Sequence, residues 1–131
     1  MVFSYKSDLV LKVNTILIVL AISSKVTGYK NSSPIMETIY WCKFEVFGRV
    51  QGVFFRKYTE KQANILGVRG WCKNTKEGTV KGELEGPLGP LNEMKHWLQA
   101  EGSPHSKIEK VIFSQNMESE NYRFNGFSIR D

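Results

Sequence analysis

One ten-residue stretch concentrates the chemistry of this chain: Phe47-Gly48-Arg49-Val50-Gln51-Gly52-Val53-Phe54-Phe55-Arg56. Gly48 and Gly52 stand four apart and permit positive φ and close backbone approach. Successive N–H groups can then turn inward as an anion nest. A helix beginning near Phe55 would add its partial positive charge at the same spot. Arg56 can set a planar, bidentate guanidinium over that nest. Such a set suits a dianionic phosphoryl group. The Gly-Lys-Ser/Thr ending of a nucleotide-and-magnesium loop is missing. From these residues alone, an ordinary strand-to-helix turn with a solvent-facing arginine stays open.

The flanking elements must hold that loop. Tyr40–Phe47 alternates, with Cys42, Phe44 and Val46 on one side and Lys43 and Glu45 on the other, which predicts a strand with one buried face. Phe55–Leu66 places Phe55, Tyr58, Ala63 and Leu66 near helical spacing, and Gly67 is a suitable C-terminal cap. Val68–Asn74 alternates again, Thr75-Lys76-Glu77-Gly78 is a turn, and Thr79–Gly86 sets Val80 and Leu84 against Lys81, Glu83 and Glu85. Pro90 can open a second helix with Leu91, Met94, Trp97 and Leu98 as its apolar face, and Gly102 can end it. Ile108–Gln115 predicts a fourth strand and Phe124–Arg130 a short fifth. The expected fold class is α+β: a ferredoxin-like βαββαβ sandwich, with two helices on one face of a four- to five-stranded antiparallel sheet.

Gly48–Arg56 resembles the acylphosphatase signature Gly-x-Val-Gln-Gly-Val-x-Phe-Arg. A second signature of that family, Gly-[aromatic]-x-x-Asn-x-x-x-Gly-x-Val, is similar to Gly70-Trp71-Cys72-Lys73-Asn74-Thr75-Lys76-Glu77-Gly78-Thr79-Val80. Glu85-Gly86-Pro87 and the closing Gly126-Phe127-Ser128-Ile129-Arg130 also look like family segments, so the resemblance runs from Ile39 to Asp131. It implies hydrolysis of the carboxyl–phosphate bond of acyl phosphates without metal or other cofactor. By the same resemblance Arg56 binds the phosphoryl oxygens, Gly48, Arg49, Val50, Gln51, Gly52, Val53 and Phe54 form the substrate cradle, and Asn74 positions the attacking water. On its own, Asn74 at a strand end beside a turn reads first as a turn-former. The implied substrates are small acyl phosphates, such as carbamoyl phosphate and glycolytic acyl phosphates, and aspartyl-phosphate groups on ion pumps.

The chemistry tolerates so few groups. The leaving carboxylate has a conjugate-acid pKa of roughly 4, so it needs little general-acid help. Phosphoryl transfer then rests mainly on positioning and charge stabilisation. No carboxylate dyad, metal cluster or Cys/His pair is required. His96 and His105 have no partner pattern, Cys42 and Cys72 read as free buried thiols, and Trp71, Trp97 and the phenylalanines read as core.

Composition bounds the rest. The chain has 131 residues, 41% hydrophobic and 24% charged, which is ordinary for a globular domain and excludes a multi-span membrane protein. Its net charge of +5 and pI near 9.3 invite a nucleic-acid reading. Yet residues 1–35 hold four lysines against Asp8, while residues 36–131 hold 14 basic and 12 acidic side chains, a net +2. The aromatic-rich motif of RNA-recognition domains is absent from Thr79–Glu85. Residues 1–35 are expected to be an extension and residues 36–131 the acylphosphatase domain. Ile16–Ile22 is seven residues, far below the ~20 that span a bilayer, though Lys6 and Ala21-Ile22-Ser23 keep a signal peptide open. The expectation is a cytoplasmic monomer that acts on small acyl phosphates or aspartyl-phosphate proteins, with no nucleic acid or membrane partner. Secretion or anchoring is the alternative if residues 1–23 act as a signal.

Overall fold

A computed structural model describes residues 37–131. The expectations for the extension therefore lie outside the described residues. In chain order the elements are β1 (Ile39–Arg49), α1 (Phe55–Leu66), β2 (Arg69–Asn74), β3 (Val80–Gly86), α2 (Leu88–Ala100), β4 (Lys107–Phe113), β5 (Met117–Ser119) and β6 (Phe127–Arg130). They form one sheet in the order β4-β1-β3-β2-β6, with β5 paired to the first residues of β1.

The alternation in β1 works as the sequence predicts. Cys42, Phe44 and Val46 are buried, while Lys43 between them is exposed. β3 lies antiparallel to β1 with Phe44 opposite Gly82, and β2 lies antiparallel to β3 with Cys72 opposite Gly82. Helix α1 buries Phe55, Thr59 and Ala63, and α2 buries Leu91, Met94, Trp97 and Leu98. The two helical stripes and the inner sheet face close a single core. The Phe55 and Trp97 rings sit 5.8 Å apart at its helical end.

Strand ends shift by up to three residues from the sequence reading, most at β6, which starts at Phe127 rather than Phe124, and three larger differences stand out. Helix α2 starts at Leu88, two residues before Pro90, because a proline anywhere in the first turn forfeits only an N–H that has no helical partner. A three-residue β5 appears between β4 and β6; it is too short to show alternation. The antiparallel expectation holds for β4-β1-β3-β2, but β6 joins β2 in parallel, Gly70 opposite Phe127 and Lys73 opposite Arg130. Gly67 caps α1 as expected, with φ 74°, and the Val68 N–H reaches back to the Ala63 carbonyl at 2.8 Å.

Two aromatic assignments need correction. Trp97 is core, but Trp71 faces the open side of the sheet, half-buried beneath the Arg130 guanidinium at 4.4 Å. Phe54 is 73% exposed. Among the described residues, no helix is long and apolar enough to cross a membrane.

Candidate active site

The end of β1 bends before it releases the loop. A register shift between Phe47 and Gly48 marks a bulge against β4. Gly48 has φ 128°, and a Cβ there would collide with the backbone of Lys107 and Glu109. Only glycine lets the two chains approach so closely. Four residues on, Gly52 (φ 76°) and Phe54 (φ 60°) occupy left-handed conformations. Alternation of this kind is how backbone N–H groups come to face one concavity. Helix α1 follows at once, with no side-chain cap and no acidic residue in its first turn. Its leading N–H groups are thus left for an anion.

The loop is tied to the β2–β3 turn by one side chain. Gln51 Nε2 donates to the Thr75 and Thr79 carbonyls, both at 2.9 Å. The turn is itself cross-braced. Thr75 N–H donates to the Thr79 carbonyl at 2.9 Å, the two threonine hydroxyls lie 2.6 Å apart, and Thr79 Oγ1 donates to Glu45 Oε2 at 2.6 Å. Asn74 is the residue immediately before this turn. Sequence places Gln51 in the cradle and gives no role there to Thr75, Thr79 or Glu45. The Glu45 alternation and a turn flanked by two threonines were the only signals available.

Arg56 is the second residue of α1 and half-buried. The salt bridges among the described residues are Lys57–Glu60, Arg123–Glu83 and Arg123–Glu85, so none of them uses Arg56. Asn74 Oδ1 is buried and has no hydrogen-bond partner. Both side chains line one cleft of about 680 Å³, together with Val50, Gly52, Phe54, Lys57 and Ile129. Among the described residues, a cation outside every salt bridge and an unpartnered carbonyl acceptor therefore share a cleft, which Asp131 also lines, at the mouth of the β1–α1 loop.

Other predicted positions are elsewhere. Gly48, Arg49, Gln51 and Val53 shape the loop without lining the cleft: Arg49 is exposed at the strand end, and Val53 packs on the core. His96 and His105 are exposed and outside it. Burial pushes the Cys72 thiol up to about 12, partly offset by the Arg56 guanidinium, and burial also raises Cys42. Both thiols are free and protonated at neutral pH, so neither is a ready nucleophile. A separate groove of about 380 Å³ on the open sheet face, lined by Lys43, Trp71, Lys81 and Glu83 among others, contains neither Arg56 nor Asn74.

Fold and cleft together define an α+β sandwich built to receive a phosphoryl anion at the β1–α1 loop. Residues 42–129 match the Acylphosphatase family model. Acylphosphatase-2 of Xenopus tropicalis is 53% identical over 87 residues, 66% of this chain and 84% of that protein. Acylphosphatase-1 of Drosophila melanogaster is 50% identical over 92 residues, 70% of this chain and 77% of that protein. The crystal structure of acylphosphatase from Bacillus subtilis superposes with a TM-score of 0.63 at 32% identity, covering 70% of this chain and 99% of that one. The chain belongs to the acylphosphatase family, and its activity is the hydrolysis of acyl phosphates.

Proposed function

We propose that Arg56 and Asn74 divide this hydrolysis between charge stabilisation and water placement. Arg56 and the amides from Arg49 to Phe54 hold the phosphoryl oxygens and stabilise the charge that spreads over them in the transition state. Asn74 Oδ1 accepts a hydrogen bond from the attacking water and aims its oxygen at phosphorus. The water oxygen bonds to phosphorus as the bond from phosphorus to the acyl oxygen breaks. The carboxylate departs with that electron pair, and the water proton passes to a phosphoryl oxygen. Products are a carboxylate and inorganic phosphate. The carrying observation is that Arg56 and the unpartnered Asn74 Oδ1 line the same cleft.

The same reading assigns residues 36–131 to the catalytic domain, acting as a monomer. Two free buried thiols support a reducing, cytoplasmic setting. The open cleft accommodates small acyl phosphates, and aspartyl-phosphate groups presented on a protein loop would be reached the same way. No nucleic-acid or membrane partner is called for.

The test is acetyl phosphate hydrolysis by the full chain, with Arg56→Ala and Asn74→Ala beside it. Turnover that falls on the order of 10²–10³ in each variant supports the roles. Variants that keep the parent rate would defeat them.

A further inference from the structure

The segment between β5 and β6 carries Asn125-Gly126, the one Asn-Gly pair in the chain. Asparagine before glycine is chemically vulnerable, because a backbone nitrogen with no Cβ beside it can swing onto the side-chain amide carbon. A fold suppresses this attack by burying the pair or by holding one of its groups in a hydrogen bond. Neither safeguard operates here. Both residues are exposed and lie outside helix and strand. Among the described residues, no hydrogen bond engages the Asn125 side chain or the Gly126 N–H. The pair borders a cleft of about 350 Å³, so the side chain has room to turn. Nor does the fold require this glycine. Gly126 has no left-handed φ, and a Cβ there would meet nothing within 4 Å.

We propose that Asn125 is a site of spontaneous deamidation whose isoaspartyl product displaces β6 and impairs the catalytic cleft. Gly126 N bonds to Asn125 Cγ as the Cγ–Nδ2 bond breaks. The side-chain nitrogen takes up the Gly126 N–H proton and leaves as ammonia. Water then opens the cyclic imide at either carbonyl, giving aspartate or isoaspartate. The net change is gain of water, loss of ammonia and one new carboxylate. Isoaspartate also adds a methylene to the main chain. That methylene falls between two anchors. On one side Phe124 donates its N–H to Glu85 and accepts from Arg69 Nη1 at its carbonyl. On the other, the Gly126 carbonyl accepts from the Gly70 N–H at 2.9 Å, just before buried Phe127. The four-residue β6 ends the sheet order and is the element that yields. Ile129 in β6 and Asp131 just beyond it line the catalytic cleft, so the displacement reaches the site.

The experiment ages the full chain in mildly alkaline buffer beside Asn125→Gln and Gly126→Ala. Ion exchange follows the species that is one charge more acidic. The tryptic peptide Phe124–Arg130, which holds no other asparagine, reports isoaspartate at position 125. The parent is expected to convert within about tenfold of the rate of that free peptide, Gly126→Ala on the order of tenfold more slowly than the parent, and Asn125→Gln not at all. The purified isoaspartyl form is expected to lose about tenfold in kcat/KM for acetyl phosphate, with a lower urea midpoint. A native parent that stays unmodified while the free peptide converts would overturn the site. An isoaspartyl form that keeps the parent kcat/KM and urea midpoint would overturn its consequence for β6.

Discussion

Two polar clusters in this domain have opposite states of satisfaction. At one, Glu85 is fully buried, yet its carboxylate accepts four hydrogen bonds: two from the Arg123 N–H, one from Arg123 Nε and one from the Phe124 N–H, all between 3.0 and 3.2 Å. Arg123 also pairs with Glu83 at 2.9 Å and stacks over Trp41 at 4.3 Å. At the other, Arg56 enters no salt bridge among the described residues, and Asn74 Oδ1 is buried without a partner. A buried polar group left unpaired costs free energy. The saturated cluster holds the segment before β6 onto the sheet. The unsaturated one leaves its valences for substrate and water.

The largest effects should test that division at the cleft. Arg56→Ala is expected to cut kcat/KM on the order of 10²–10³, about 3–4 kcal/mol of transition-state stabilisation, with little change in the urea unfolding midpoint. Comparable losses of stability and activity would place Arg56 with the structural cluster instead. Glu85→Ala should do the reverse. It strands two backbone N–H groups, costing about 2–3 kcal/mol of unfolding free energy, while the folded fraction keeps its KM for acetyl phosphate.

Gln51→Ala probes the border between the regions. Its side chain is satisfied, but it braces the loop that must stay open to a ligand. A drop of about tenfold in kcat/KM is expected, with a stability loss near 1 kcal/mol, because a misplaced cradle weakens transition-state contacts more than it weakens the core. Stopped assays on acetyl phosphate and denaturant titrations on the same preparation separate the two. An unchanged rate would make the brace purely structural.

Alternation and glycine spacing in the sequence anticipate β1, the loop and α1, because those features are local and each agrees with its neighbours. Glu85 is the instructive miss. Its place in the β3 alternation opposite Val80 and Leu84 pointed it to the open face, and Trp41 opposite it confirms that side. Burial comes from Arg123 and Phe124, some forty residues later, folding over it. The parallel docking of β6 depends on the same return of the chain. The state of Asn74 is likewise non-local: its type and position were visible, and the family resemblance suggested its role, but its unpaired oxygen depends on how β2 meets the loop.

The smallest effect concerns Cys72, which lies beneath this site without joining it. Its Sγ lies 4.0 Å from the Arg56 carbonyl. The folded thiol holds its proton up to about 12, while the unfolded thiol releases it near 9.0. Below about pH 9 both states are protonated and this group adds no pH dependence. From about pH 9 to pH 12 the unfolded chain binds fewer protons, so stability falls as pH rises, by at most about 1.4 kcal/mol per unit from this one group. Cys72→Ala should therefore flatten the change in urea midpoint between about pH 8 and pH 10, even if cavity formation lowers both midpoints. The native thiol should also resist iodoacetamide at about pH 8 and react once the chain is unfolded. Rapid native alkylation, or a pH slope untouched by Cys72→Ala, would show a thiol in contact with the cleft. It would move Cys72 from the buried scaffold into the reactive region that Arg56 and Asn74 define.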